Sequence, residues 1–324
     1  MLRLGLRADW AGLRDILLQH GLYGLLLALI LVFGAISHSF LTVSNWTQIG
    51  TAACFLLCAA AGEVIVMITG EIDLGVGSIA YLSASTVYLT SAFPAAFSVF
   101  AALVVGLIAG AVSGGLVAYA KMSSLLTTLG LMIAYRGVSL LVTGGTVQAV
   151  GPSIVRLGRI QYVHALPLVV LLSLVLMCLY QIVASSTKFG AYCYAVGNSE
   201  SAARKVGIGV PTVKLIAFCM SGAGAAISGI LSTMYLGQVT TFTGRGMEFE
   251  AIAAVVIGGT SLFGGRGSVL PGALAGVLLL TVISNGLGTR GVSPYVYPFV
   301  IGSVVFVAIY LDSLKNWRRS SRAR

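Results

Sequence analysis

Residues 47–69 read Thr-Gln-Ile-Gly-Thr-Ala-Ala-Cys-Phe-Leu-Leu-Cys-Ala-Ala-Ala-Gly-Glu-Val-Ile-Val-Met-Ile-Thr. Glu63 is the single charge in that run. As an α-helix it spans about 35 Å, enough to cross roughly 30 Å of hydrocarbon. A carboxylate near the middle of such a helix costs about 2.5–3.5 kcal/mol on insertion scales. Glu63 is therefore expected to face the bundle interior, a partner or water. Arg136, inside another apolar run, is a possible partner. A functional role and a structural ion pair both remain open for Glu63.

The same kind of run recurs along the whole chain. Candidate spans fall at about 21–37, 47–69, 78–93, 95–119, 124–143, 164–184, 213–236, 250–264, 268–287 and 295–312. The third and eighth are short enough to be broken or re-entrant helices. The composition agrees: 58% hydrophobic, 9% charged, mean hydropathy +1.00. Soluble domains carry about 25% charged residues. No alternating ten-residue barrel pattern is present. The expected fold is an all-α polytopic membrane protein with about ten transmembrane helices in one domain, 1–324. The 41 glycines suit close helix–helix packing in lipid. Arg3, Arg7 and Arg14 precede the first run, which is of span length and lacks an A-x-A site. It reads as a retained helix rather than a cleaved signal. Cys54, Cys58, Cys178, Cys193 and Cys219 lie in or beside apolar runs without a C-x-x-C. Small apolar packing is expected of them, and no metal site.

Orientation follows from the basic residues. Place the N-terminus in the cytoplasm. The inside loops and tails then hold Arg3, Arg7, Arg14, Lys121, Lys188, Arg204, Lys205, Lys214, Arg266, Lys315, Arg318, Arg319, Arg322 and Arg324, which is 14. The outside loops hold Arg156, Arg159, Arg245 and Arg290, which is 4. Both termini (tails 1–20 and 313–324) and the 185–214 loop are thus expected inside, which an even number of spans satisfies. The net charge of +10 is spread between and beyond the spans, a pattern that excludes a nucleic-acid surface.

The segment Ser185–Lys214 is the longest polar stretch, and Glu200 is its one acid. Within it, 197–207 reads Gly-Asn-Ser-Glu-Ser-Ala-Ala-Arg-Lys-Val-Gly. A chain that is nearly all membrane and sets aside one loop for a short basic helix is expected to present it to a partner. The chain has no G-x-x-x-x-G-K-[ST] of its own to cradle ATP. It also has no H-E-x-x-H or G-x-S-x-G, and its three histidines are scattered. No enzymatic site is expected.

A second polar feature is Thr69-Gly70-Glu71-Ile72-Asp73-Leu74-Gly75-Val76-Gly77-Ser78. Non-helical backbone at membrane depth survives only inside protein or along a wet cavity. Glu71 and Asp73 could bind hydroxyls of a polar solute, or could cap and complement a helix N-terminus. Gly75–Ile79 is echoed by Gly265–Val269, and Ser78 and Ser268 both read as helix N-caps. Glu248 and Glu250 open another apolar helix and are expected to complement its dipole.

These stretches together resemble the permease subunits of bacterial ATP-binding-cassette importers for ribose and related sugars, over nearly the whole chain. In that family a Gly-Gly-Ile-Asp-Leu-Ser-Val-Gly-Ser segment follows the second span; here it is Gly70–Ser78. Thr128-Leu129-Gly130, Tyr135-Arg136-Gly137 and Thr143-Gly144-Gly145 follow in family order. Tyr194–Asn198, with Ala202-Ala203-Arg204 and Gly207-Ile208, looks like the family's coupling segment. Glu250–Leu262 with Gly264–Ser268 is the most specific match. Glu71 replaces the commoner glycine, Gly75 stands where serine is usual, and Glu200 precedes the position where the family often has glutamate.

The resemblance implies a non-catalytic permease in the bacterial inner membrane that works by alternating access. Its partners would be membrane lipid, a second permease chain (the same or a sister), ATPase subunits that bind ATP and Mg, and an extracytoplasmic sugar-binding protein. Gly197, Asn198, Glu200, Ala202, Ala203, Arg204 and Gly207 would couple to the ATPase. Glu63, Glu71, Asp73 and Ser78 would line the translocation path or form a helix break. Importers of nucleosides, branched-chain amino acids or a signalling furanone look similar. An ion-coupled transporter working through Glu63 and Asp73 is the alternative from another class.

Overall fold

The computed structural model describes residues 5–162, 166–304, 306 and 310. The C-terminal tail at 313–324, and with it the side of the C-terminus, lies outside the described residues. The long helices are α1 (Gly5–Ile36), α2 (Val43–Ile68), α4 (Ala95–Ala118), α5 (Ser124–Thr143), α7 (Leu168–Ser186), α10 (Val210–Leu236) and α12 (Leu274–Thr289). Shorter ones are α3 (Val76–Leu89), α6 (Pro152–Gly158), α8 (Lys188–Asn198), α9 (Glu200–Lys205) and α11 (Met247–Ile257). A wide turn at Val269–Ala273 leads into α12, and 297–304 is again helical.

Among the described residues, six helices are long and apolar enough to cross a membrane: α2, α4, α5, α7, α10 and α12 with its preceding turn. The third and eighth candidate spans are helical but short. α3 has 14 residues and α11 has 11. At 1.5 Å per residue they reach only about 21 and 16 Å, less than the ~30 Å of a bilayer core.

α2 is the centre of the bundle. In its most apolar window 89% of the residues are buried, against 17% in α5 and 28% in α4. Apolar residues run all round α2, so it can sit inside the protein, whereas the outer helices turn Leu126, Ile133 and Leu141 outward. Packing is closest between α4 and α10. Gly106 and Gly110 of α4 face Gly222 of α10, Gly114 faces Phe218 and Leu215, and each has backbone or Cβ of α10 where its own Cβ would stand. In lipid there is little hydrophobic gain from pairing two apolar helices, so bare backbone surface and close contact provide the adhesion.

The connections gather at two ends. At one end Gly70, Gly197 and Gly264 meet, and Gly265 N donates to Ile68 O at 2.9 Å. At the other end β1 (Gln148–Ala149) pairs antiparallel with β4 (Gln238–Val239), and Gly151 rests on Ser91 O. β2 (Gln161–Tyr162) and β3 (Leu166–Pro167) form a second small hairpin between α6 and α7.

The 185–214 stretch, expected as a loop, is two helices and the start of a third. Thr187 caps α8 by accepting from Gly190 N, and Ser199 caps α9 by accepting from Ala202 N. α10 begins at Val210, and Pro211 occupies its first turn, where the missing N–H is not needed. Lys214 therefore belongs to α10. The echoed serines also separate. Ser268 is an N-cap and accepts from Gly272 N. Ser78 is not: Gly75 holds the cap position, and Ser78 Oγ donates to Gly75 O at 2.8 Å from inside the helix.

Candidate functional site

The break between α2 and α3 carries the buried carboxylates. Thr69 ends α2, and Gly70 turns the chain at φ +85°. Asp73 and Glu63 are fully buried. Asp73 Oδ1 accepts from Gly75 N at 2.8 Å, and Oδ2 accepts from Ser221 Oγ of α10 at 2.8 Å. Asp73 N donates to Glu63 Oε1 at 3.2 Å. Leu74 N donates to Thr128 Oγ1 of α5 at 3.0 Å. Backbone that leaves the helix at membrane depth is thus satisfied by three side chains, Glu63 of α2, Thr128 of α5 and Asp73 of the break itself, and Ser221 ties the break to α10. Of the two readings open for Asp73, capping is the one with visible partners: both oxygens are occupied within the protein.

Glu63, Asp73 and Ser78 come together around this break, but none reaches an open surface. Among the described residues, Glu63 Oε2 has no hydrogen-bond partner. Arg136 is not its ion partner. The guanidinium lies over the Tyr81 ring at 5.6 Å, reaches Thr241 O at 3.5 Å, and acts electrostatically on Glu248. Glu248 and Glu250 open α11, as the dipole argument expects. Glu248 is also buried against Gly77, where a side chain at position 77 would meet the carboxylate. Cys54 and Cys58 are buried among Tyr81, Ile230 and Leu231.

Glu71 points the other way, to the end of the bundle where α9 lies. Lys214 Nζ binds Glu71 Oε1 at 2.7 Å and Glu200 Oε2 at 2.9 Å. Glu200 Oε1 accepts from Arg204 Nη2 at 2.6 Å. The hydrogen bond from Arg204 and then that from Lys214 hold the Glu200 carboxyl below its ordinary value. A lowered carboxylate contributes stability at neutral pH and loses it as pH falls through the lowered value.

α8 and α9 dock by close contact. Gly197 sits on Ile68 O and Gly265 N, where any Cβ would overlap backbone. The Asn198 side chain packs on Gly265, and Tyr194 OH donates to Gly267 O at 2.7 Å. Ala203 is buried in this chain's own core, while Ser201, Ala202, Arg204, Lys205, Val206 and Gly207 are exposed. The segment is therefore two-sided: Gly197 and Ala203 hold it to the bundle, and Ala202 with its neighbours faces outward. Sequence reasoning missed Ser221 and Lys214. Ser221 is one hydroxyl in a run of small residues, and Lys214 looks like one more loop cation.

Residues 45–309 match the family model for the permease component of the branched-chain amino acid transport system. That is most of the chain. The chain belongs to this permease family. It is an ABC-type transport permease of the bacterial inner membrane. Among curated relatives, the autoinducer 2 import system permease protein LsrC of Photorhabdus laumondii is 33% identical over 92% of this chain and 93% of its own length. LsrC of Photorhabdus luminescens is 34% identical over 89% of this chain and 88% of its own. LsrC of Yersinia pseudotuberculosis is 33% identical over 89% and 82%. No solved structure matches the chain.

Proposed function

We propose that this permease imports autoinducer 2 or a sugar of similar size and polarity, driven by a separate ATPase and supplied by an extracytoplasmic binding protein. The observation that carries the reading is the two-sided α8–α9 segment: glycine contacts fix it to the end of α2, and a small basic face is left outward. The LsrC relatives favour the signalling-furanone alternative over ribose. The whole chain, 1–324, acts as one permease domain beside a second permease chain. It holds no cofactor; ATP and Mg bind the ATPase. About ten membrane crossings, two of them made by the short α3 and α11 together with the non-helical segments beside them, put both termini and α9 in the cytoplasm. The asymmetry of basic residues supports this orientation. ATP-driven movement reaches the bundle through α9, and the helices rock between inward- and outward-open states, each stabilised by its own contacts.

The test is capture of the tagged permease from its host. An ATPase should accompany it, and cells should take up labelled autoinducer 2 only with the permease present. Ribose uptake without autoinducer 2 uptake would restore the sugar reading, and capture without an ATPase would refute the coupled importer. Orientation has its own check. A cysteine at exposed Thr146 should react with an impermeant maleimide in intact cells, and one at exposed Ser201 should react only after permeabilisation. Labelling of Ser201→Cys in intact cells would invert the topology.

The burial of Ala203 changes which substitution probes the partner. Ala202→Trp places an indole on the outward face, where overpacking an interface costs about 1–3 kcal/mol, a roughly five- to hundred-fold loss of ATPase capture. The amount of folded permease should not change. Lys205→Ala removes one exposed charge and should weaken capture by less than about ten-fold. Equal capture by Ala202→Trp and the unmodified chain would remove α9 from the interface.

A further inference from the structure

We propose that Lys214 is a positioning residue that transmits movement of α9 to the α2–α3 break. The inference rests on the coupled-importer reading and deepens it. Its basis is a convergence of two carboxylates from separate elements. Glu71 lies in the break between α2 and α3, and Glu200 opens α9. In the sequence they are far apart. In the structure both carboxylates grip the same ammonium, at 2.7 and 2.9 Å.

The geometry makes this bridge different from a surface ion pair. The Lys214 and Glu71 side chains are only 13% and 16% exposed, and Glu200 is 43% exposed. The charge that anchors α9 is therefore the shielded one, and screening weakens it less than an open pair. Glu71 lies two residues before Asp73, whose carboxylate ties the break to α10 through Ser221. α8, which leads directly into α9, has its own attachment at Gly197 on the end of α2. A tilt of the α8–α9 segment thus acts on one end of the break through the Gly197 backbone contact and on Glu71 through Lys214. A groove of about 620 Å³, lined by Glu71, Lys121, Ser124, Glu200, Arg204 and Lys214, leaves room for the bridge to shift. With Lys214 neutral, the α8–α9 segment stays docked by Gly197 and Ala203, and Glu71 no longer follows it.

The experiment uses the importer captured through the tagged permease from its host and reconstituted in vesicles, with labelled autoinducer 2 as probe. Lys214→Gln and Glu71→Gln should each keep the captured ATPase and its hydrolysis. Each should lower solute imported per ATP by about ten-fold, the effect of ~1.4 kcal/mol. The double variant should be no worse than either single one, because both changes cut the same link. Lys214→Arg, which keeps the charge, should restore most of the ratio. A Lys214→Gln importer with the unmodified ratio overturns the proposal, and so does additive loss in the double variant. Should Lys214→Gln fail to accumulate, Glu71→Gln carries the same test, since it keeps the side chain's size and removes only the charge that Lys214 grips. Absence of an ATPase from the unmodified capture would instead refute the importer reading, so the two failures are distinct.

Discussion

Gly110→Leu should leave almost no extractable, folded permease. A Cβ at position 110 would stand on Phe218 O and 3.1 Å from Gly222 Cα. These neighbours are mainly backbone of α10, which cannot rotate away as a side chain can. From the other side, a Cβ on Gly222 would meet Gly106 O and lie 2.9 Å from Gly110 Cα. Relief requires moving α4 off α10, and α10 also packs on α2 and α3. Overpacking by a methylene or two costs about 1–3 kcal/mol, and a leucine adds more than that. Against a total stability of about 5–15 kcal/mol this is a large fraction. Gly115 supplies the control. It lies on the same helix with nothing within 4 Å of its would-be Cβ. Gly115→Leu should therefore accumulate normally, with about 1 kcal/mol to gain in helix propensity. The measurement is the monodisperse fraction after detergent extraction, and its thermal midpoint. Equal amounts of the two variants would show that α4 and α10 do not pack as described.

The sequence is legible where one physical force dominates. Apolar runs long enough for a bilayer located α2, α4, α5, α7 and α10 within a few residues, because a buried or lipid-facing helix needs an unbroken apolar stretch. α1 starts at Gly5, well before its apolar run at 21–37, since helix can continue through polar sequence outside the hydrocarbon. Helix ends are less legible. Ser78 and Ser268 occupy the same place in similar strings, yet only Ser268 caps, since Asp73 already serves Gly75 N at the start of α3. The coupling segment was legible as a polar stretch but not as a surface. Which of Ala202 and Ala203 faces outward depends on how α9 lies on the bundle, and neighbouring alanines carry no mark of it. Pairing of charges was least legible. Glu71, Glu200 and Lys214 come from three elements, and no spacing rule joins them. Arg136 illustrates the reverse error: it is an intramembrane cation that Glu63 could have used, but it lies near Glu248.

Asp73→Ala should remove most of the folded permease, while Asp73→Asn should keep both the protein and its uptake within a few-fold. The contrast follows from what the carboxylate does. Its two oxygens accept from Gly75 N and from Ser221 Oγ, in a fully buried place. Alanine leaves both groups without a partner. Each buried unsatisfied group costs about 1–3 kcal/mol, so the pair costs about 2–6. It also removes the buried tie of the break to α10, leaving the Glu71–Lys214 pair. Asparagine keeps one oxygen for Gly75 N and turns its amide toward Ser221, whose hydroxyl can accept as well as donate. The cap and the tie to α10 survive without the charge. Ser221→Ala, which removes a single partner, should fall between the two. The measurement pairs autoinducer 2 uptake with the amount of membrane-inserted protein for all three variants. Full protein with uptake abolished in Asp73→Asn would mean that the negative charge itself takes part in transport. Asp73 would then belong to the translocation path, and the ion-coupled alternative would regain its strongest residue.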